Sequence, residues 1–254
     1  MIPRNLRDGG GVRSHLGETV TPKISDDSAT VNSPEQNKIH LGSSNLDMTR
    51  ALRWAVIHGH TSEVRELLEK GSKDTSDHDG VTAMHLAAKG GHADILRLLL
   101  AAGAPLEARM HRIDGSTDRS NGTPLHWAAI EGQFGSIEAL LEAGASVDAR
   151  NEWDRTPLHL AARYGHDQSI RLLVSRGASL EARRDTNETP LHFAVEEACS
   201  SSIELLLELG ADIDAWGDRG TPLQLALSLR HRDISILLIS KNADLSQIRL
   251  QYLS

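Results

Sequence analysis

Thr156-Pro157-Leu158-His159 lies near the middle of the chain, and the same four residues return at Thr123 to His126 and at Thr189 to His192. Thr221-Pro222-Leu223-Gln224 and Thr82-Ala83-Met84-His85 are close variants. A second landmark keeps nearly the same period: Gly71, Gly103, Gly144, Gly177 and Gly210, with Asn242 in the sixth place, at spacings of 32, 41, 33, 33 and 32. Threonine caps the free N–H groups of a first helical turn, and proline just behind it has φ already set for a helix. The motif therefore marks where a first helix starts. Seven, four and three places before each Gly stand apolar residues, such as Ile170, Leu173 and Val174 or Ile203, Leu206 and Leu207, the spacing of one core-facing stripe on a second helix. The Gly, or Asn242, supplies the left-handed residue that closes it.

Two landmarks in register over about two hundred residues resemble the ankyrin repeat. The resemblance covers about 46–245 and implies an all-α solenoid of stacked helix-turn-helix units joined by hairpin-like fingers, with units near 46–77, 78–109, 118–150, 151–183, 184–215 and 216–245. The one long spacing places an insertion at 110–119, where it lengthens a finger without entering the core. The first unit reads Arg50-Ala51-Leu52-Arg53 in place of the motif, and the last carries Ser235 in its stripe and Gln224 in place of His. Terminal units of a solenoid have one face open to water, so such departures are expected there. Leu245, Ile248, Leu250 and Leu253 are read as a short C-terminal cap. Trp54 and Trp127 share the place after the motif His or its equivalent, and both are expected in the core.

Residues 1–45 differ in kind: rich in Gly, Ser, Thr, Asp and Asn, without an aromatic residue or any periodicity, they are expected to form a disordered polar tail. Thr21-Pro22 and Ser33-Pro34 are read as chance pairs in an inert linker rather than phosphorylation sites. The tail's charges balance, so the repeats carry the whole net charge of −8. That sign opposes a phosphate backbone and argues against nucleic acid as partner. A single cysteine, no secretory leader in the first residues and no apolar run long enough for a bilayer favour an intracellular protein, cytoplasmic or nuclear, without a membrane partner.

Several residues imitate chemistry. His85, His126, His159 and His192 form a row, but stacked helices lie about 8–10 Å apart, whereas zinc ligands stand about 2 Å from the metal. They are read as structural hydrogen-bonding groups, as are His60, His92, His166 and His231. His231-Arg232-Asp233 spells the start of a kinase catalytic loop, yet Leu238 stands where Asn is required and no Asp-Phe-Gly follows. Gly9-Gly10-Gly11 follows no strand, so it is not a phosphate loop. Cys199 takes the place of His166 one unit on and is read as a spectator thiol. No catalytic, metal or cofactor site is expected.

What remains is binding. The resemblance implies that fingers and first helices form a concave surface gripping another protein, as a scaffold or adaptor, or alternatively as an inhibitor or accessory subunit of an enzyme. Aligned on their Thr, the units place on that surface Asp79 and Val81, then Ser120, Ile130 and Glu131, then Trp153, Arg155, Arg163 and Tyr164, then Asp185, Glu188, Glu196 and Glu197. Trp, Tyr and Arg most often carry interface energy, so the fourth unit is the expected anchor. The acidic fifth unit is expected to steer a partner with a basic surface. Oligomeric state is not readable.

Overall fold

The computed structural model describes residues 45–110 and 118–246, and these belong to one unit that spans His40–Ser254. The expected N-terminal tail, most of the insertion, and the cap residues Ile248, Leu250 and Leu253 lie outside the described residues. Twelve helices are found among the described residues, in six antiparallel pairs: α1 (Asn45–Ile57) and α2 (Thr61–Glu69), α3 (Ala83–Gly90) and α4 (Ala93–Ala101), α5 (Pro124–Ile130) and α6 (Phe134–Glu142), α7 (Pro157–Arg163) and α8 (Asp167–Ser175), α9 (Pro190–Glu196) and α10 (Ser200–Glu208), α11 (Pro222–Ser228) and α12 (Arg232–Ser240). First helices pack on first helices, from α1 through α3, α5, α7 and α9 to α11, and second helices α2, α4, α6, α8 and α10 follow the same order.

The motif explains each start. Thr82, Thr123, Thr156 and Thr189 are extended residues in capping boxes with the His three places on, whose Nδ1 accepts the Thr N–H at 3.1–3.2 Å. Gln224 does the same for Thr221. At the other end, Asn242 is left-handed with φ 68°, as its place in the Gly series requires. The stripe positions Val64, Leu96, Ile137, Ile170 and Ile203 are fully buried, as are Leu99, Leu140, Leu173 and Leu206.

Four rows of side chains then stitch each unit to its neighbour. With Nδ1 occupied as acceptor, Nε2–H of each motif His donates forward to a finger carbonyl: His85 to Gly122, His126 to Arg155, His159 to Glu188 and His192 to Gly220, all at 3.0–3.1 Å. The residue before α6, α8, α10 and α12 reaches backward to the end of the previous first helix: Gln133 to Lys89, His166 to Ile130, Cys199 to Arg163 and His231 to Glu196. Arg109, Arg150 and Arg183 donate to the carbonyls of Arg150, Arg183 and Trp216. Glu107, Asp148, Glu181 and Asp214 accept the backbone N–H of Ser146, Ser179, Asp212 and Asp244.

Trp127 is buried as expected, but Trp54 is 38% exposed and not a core residue. The reason is positional. Trp127 packs edge-on against His85 of the preceding unit, ring centroids 5.3 Å apart, and Phe193 does the same against His159. Among the described residues no unit precedes Trp54, which stacks instead on His58 of its own helix end.

Candidate partner-binding face

The fingers and the ends of the first helices hold two clusters of ion pairs, one spanning the third to fifth units and one the fifth and sixth. Asp118 bonds Arg155 and Tyr164 and lies 3.5 Å from Arg163. Arg163 in turn reaches Glu197 at 2.7 Å. Glu188 is held by Arg184, Thr186 and Arg219, and Arg219 also meets Glu196 at 3.1 Å. Phe193 lies fully buried beneath, with the guanidinium carbons of Arg184, Arg155 and Arg163 at 5.2, 5.3 and 6.0 Å from its ring centre. A ring face attracts cations, but three around one ring also repel each other, and the carboxylates hold the group together.

The electrostatics follow from burial. Burial alone would raise the Glu188 carboxyl, but hydrogen bonds from Arg219, Thr186 and Arg184 overcome it and lower its pKa. Arg155 stays below the usual guanidinium value because burial, with repulsion from Arg184 and Arg163, outweighs attraction to Asp118. Burial and the bond to Asp118 raise the Tyr164 hydroxyl.

The structure thus brings Arg155, Arg163, Tyr164 and Glu197 into one cluster and Glu188 and Glu196 into a second, the two meeting around Phe193. It does not leave them equally open. Tyr164 is 44% exposed, Arg163 and Glu196 are half-buried and Glu197 is exposed. Arg155 and Glu188, at 6% and 0%, are inside, as is Ile130, so these three meet neighbours rather than solvent. Trp153 is half-buried at a finger whose turn is tied by Asn151 Oδ1 to the N–H groups of Trp153 and Arg155. Glu131 pairs with Arg119, whose guanidinium lies 5.2 Å over Trp127. Asp79 stands apart in the second unit beside His78. The fifth unit is not the free acidic surface its composition suggests, since Glu188, Glu196 and Glu197 already hold arginines.

Sequence reading missed Asp118, Arg119, Arg184, Arg219 and Trp216. Trp216, 55% exposed in the last finger, falls on the same place as Asn151 and Arg184 once the units are aligned on their Thr, and that alignment was the available signal. Among the described residues no group of three or more His, Cys, Asp or Glu is placed to hold a metal, and no helix is long and apolar enough to cross a membrane.

Stacked helix pairs whose side chains bond only to the next unit define a helical repeat solenoid. A family model described as ankyrin repeats (3 copies) matches residues 32–110, 52–151, 108–184, 125–216 and 182–249. The crystal structure of the human ASB11 ankyrin repeat domain superposes with a TM-score of 0.68 at 26% identity, over 79% of this chain and 87% of that one. Comparison with curated protein sequences finds no significant match. The chain belongs to the ankyrin-repeat family.

Proposed function

We propose that this protein is a non-catalytic binding module, a scaffold or adaptor, which grips a partner protein on the concave face of fingers and first helices. Ankyrin repeats in general bind other proteins, and fold alone does not choose the face. The observation that supports this face is exposed Tyr164 held by Asp118 in a cluster of ion pairs, with half-buried Trp153 on a finger closed by Asn151, both fixed before any partner arrives. Preorganised aromatic groups near the centre of a surface lose little on binding and contribute most.

The test is capture of partners by the full-length chain, followed by affinity measurement on variants. Trp153→Ala with Tyr164→Ala should weaken binding by at least about 2 kcal/mol. Glu138→Ala and Arg171→Ala, on second helices and joined only loosely to Arg176 and Glu208 at 3.8 Å, should change nothing. If the second-helix variants weaken binding and the aromatic pair does not, the partner sits on the opposite face. Assaying the captured protein for enzymatic activity, with and without this chain, separates a scaffold from an inhibitor.

A further inference from the structure

Among the described residues six buried side-chain atoms lack a hydrogen-bond partner: Nε of Arg119 and Arg155, Nε1 of Trp127 and Trp153, and the hydroxyls of Ser136 and Ser169. The two hydroxyls belong to α6 and α8, on the second-helix side. The other four are all N–H groups of the third and fourth units, and none of them can accept. Trp127 and Arg155 are each 6% exposed. The four gather around residues 118–120: Arg119 covers Trp127, Arg155 bonds Asp118, and the Trp153 finger is joined to this segment by Asn151 Nδ2 on the Asp118 carbonyl and by Glu152 N–H on the Ser120 carbonyl, both at 3.1 Å. This part of the face has more donors than acceptors.

Asp118 is the second observation. It stands five residues before its Thr, where the second and fourth units have Asp77 and Asn151. Those two close their own fingers, Asp77 Oδ1 accepting from Asp79 and Val81 at 3.0 and 2.8 Å and Asn151 Oδ1 from Trp153 and Arg155 at 3.0 and 3.1 Å. Asp118 instead points its carboxylate into the next unit, where two guanidiniums and a phenol share it. Among the described residues Asp118 alone serves Arg155 and Tyr164, while Arg163 is divided between Asp118 and Glu197, and burial keeps Arg155 below its ordinary pKa despite its partner.

We propose that the concave face of the third and fourth units receives an acidic segment of a partner protein, whose carboxylates bind exposed Tyr164 and half-buried Arg163 and reach Arg155 behind them only by displacing Asp118. This rests on the concave-face reading above and adds the partner's chemistry. It departs from a basic partner because Glu188, Glu196 and Glu197 each hold an arginine, whereas the unpartnered groups on this face are all donors.

The probe is a labelled glutamate-rich peptide, with a lysine-rich peptide of equal length beside it, titrated into the full-length chain at low ionic strength and followed by anisotropy. The glutamate peptide should bind and the lysine peptide should not. Asp118→Asn keeps the shape of the side chain but removes the competing charge, and should tighten the glutamate peptide roughly tenfold. Adding Arg163→Gln should cancel that gain. Because Asp118→Asn also weakens the hold on a buried guanidinium, Arg163→Gln alone gives a second reading in a chain whose Arg155 pair is intact. It should weaken the glutamate peptide roughly fivefold. Equal binding of the two peptides, preference for lysine, or indifference to Arg163→Gln overturns the proposal. If the glutamate peptide fails while Trp153 and Tyr164 still govern capture of the native partner, the assigned chemistry is wrong and the face is right. If the peptide binds through Arg163 but the aromatic pair is irrelevant to the native partner, the concave-face reading fails instead.

Discussion

Gly132 shows how one residue can be fixed by the unit that follows it. Its φ is 67°, and a Cβ there would lie 2.5 Å from Nδ1 of His166, the side chain that reaches back to the Ile130 carbonyl. Gly144 has φ 92° and nothing within 4 Å of the same imagined atom. Both alanine variants carry the left-handed strain, on the order of 1–2 kcal/mol. Gly132→Ala must also displace a hydrogen-bonded imidazole, so chemical denaturation should find it less stable than Gly144→Ala by about 1 kcal/mol or more. Equal losses would mean that His166 moves aside freely. At this scale the sequence was legible where a residue answers to its own helix, as Thr and Pro do at the motif. It was less so where the neighbour decides. Trp54 and Trp127 look equivalent by position, yet only Trp127 has a motif His from the preceding unit to pack against.

The first helices carry a shared pH response. Burial lowers His85 and His126 to about 4 and His159 to about 3, and lowers His192 as well. An unfolded histidine titrates near 6.5. A folded pKa below the unfolded one means that stability is complete above about pH 6.5 and is lost as pH falls from there through the folded values near 4, because the unfolded chain takes up protons first. His85, His126 and His159 should each cost on the order of 2 kcal/mol by pH 5, with His192 acting in the same direction, so denaturation midpoints should fall steeply between pH 6.5 and 4. The last unit shows the replacement that removes this effect, since Gln224 caps Thr221 without titrating. His126→Gln should therefore lose some stability at neutral pH, together with its bridge to the Arg155 carbonyl. The unfolding equilibrium near pH 5 should then take up about one proton fewer. An unchanged slope would show that the histidines protonate in place.

Among the described residues, the main helix contacts run within a unit or between adjacent units, so stability is close to a sum of unit and junction terms. Leu140, fully buried in α6, should cost about 2–5 kcal/mol when changed to Ala. Native-state hydrogen exchange should then show lost protection centred on the third unit and its two neighbours, fading toward α1 and α12. A uniform loss across all units would mean a single cooperative block. The repeat family and the all-α order of helix pairs were readable because each landmark recurs in register and has a local cause. The ion-pair clusters were not, because they depend on which finger side chains cross to the next unit. Asp118 and Asn151 hold the same place in the alignment and do opposite things, one turned outward to α7 and the other closing its own finger.

The backward row has one soft rung. Gln133, His166 and His231 make nitrogen bonds of 2.8–3.1 Å, whereas at the junction of the fourth and fifth units the bond is a thiol at 3.5 Å, and a thiol is a weak donor. The first-helix edge of the same junction is clamped by Arg163 on Glu197 at 2.7 Å. Stretched between its ends, the array should act as a spring with an uneven coil: at this joint it gapes on the Cys199 edge while the ion pair serves as the pivot, so the angle between the fourth and fifth units is the first to yield.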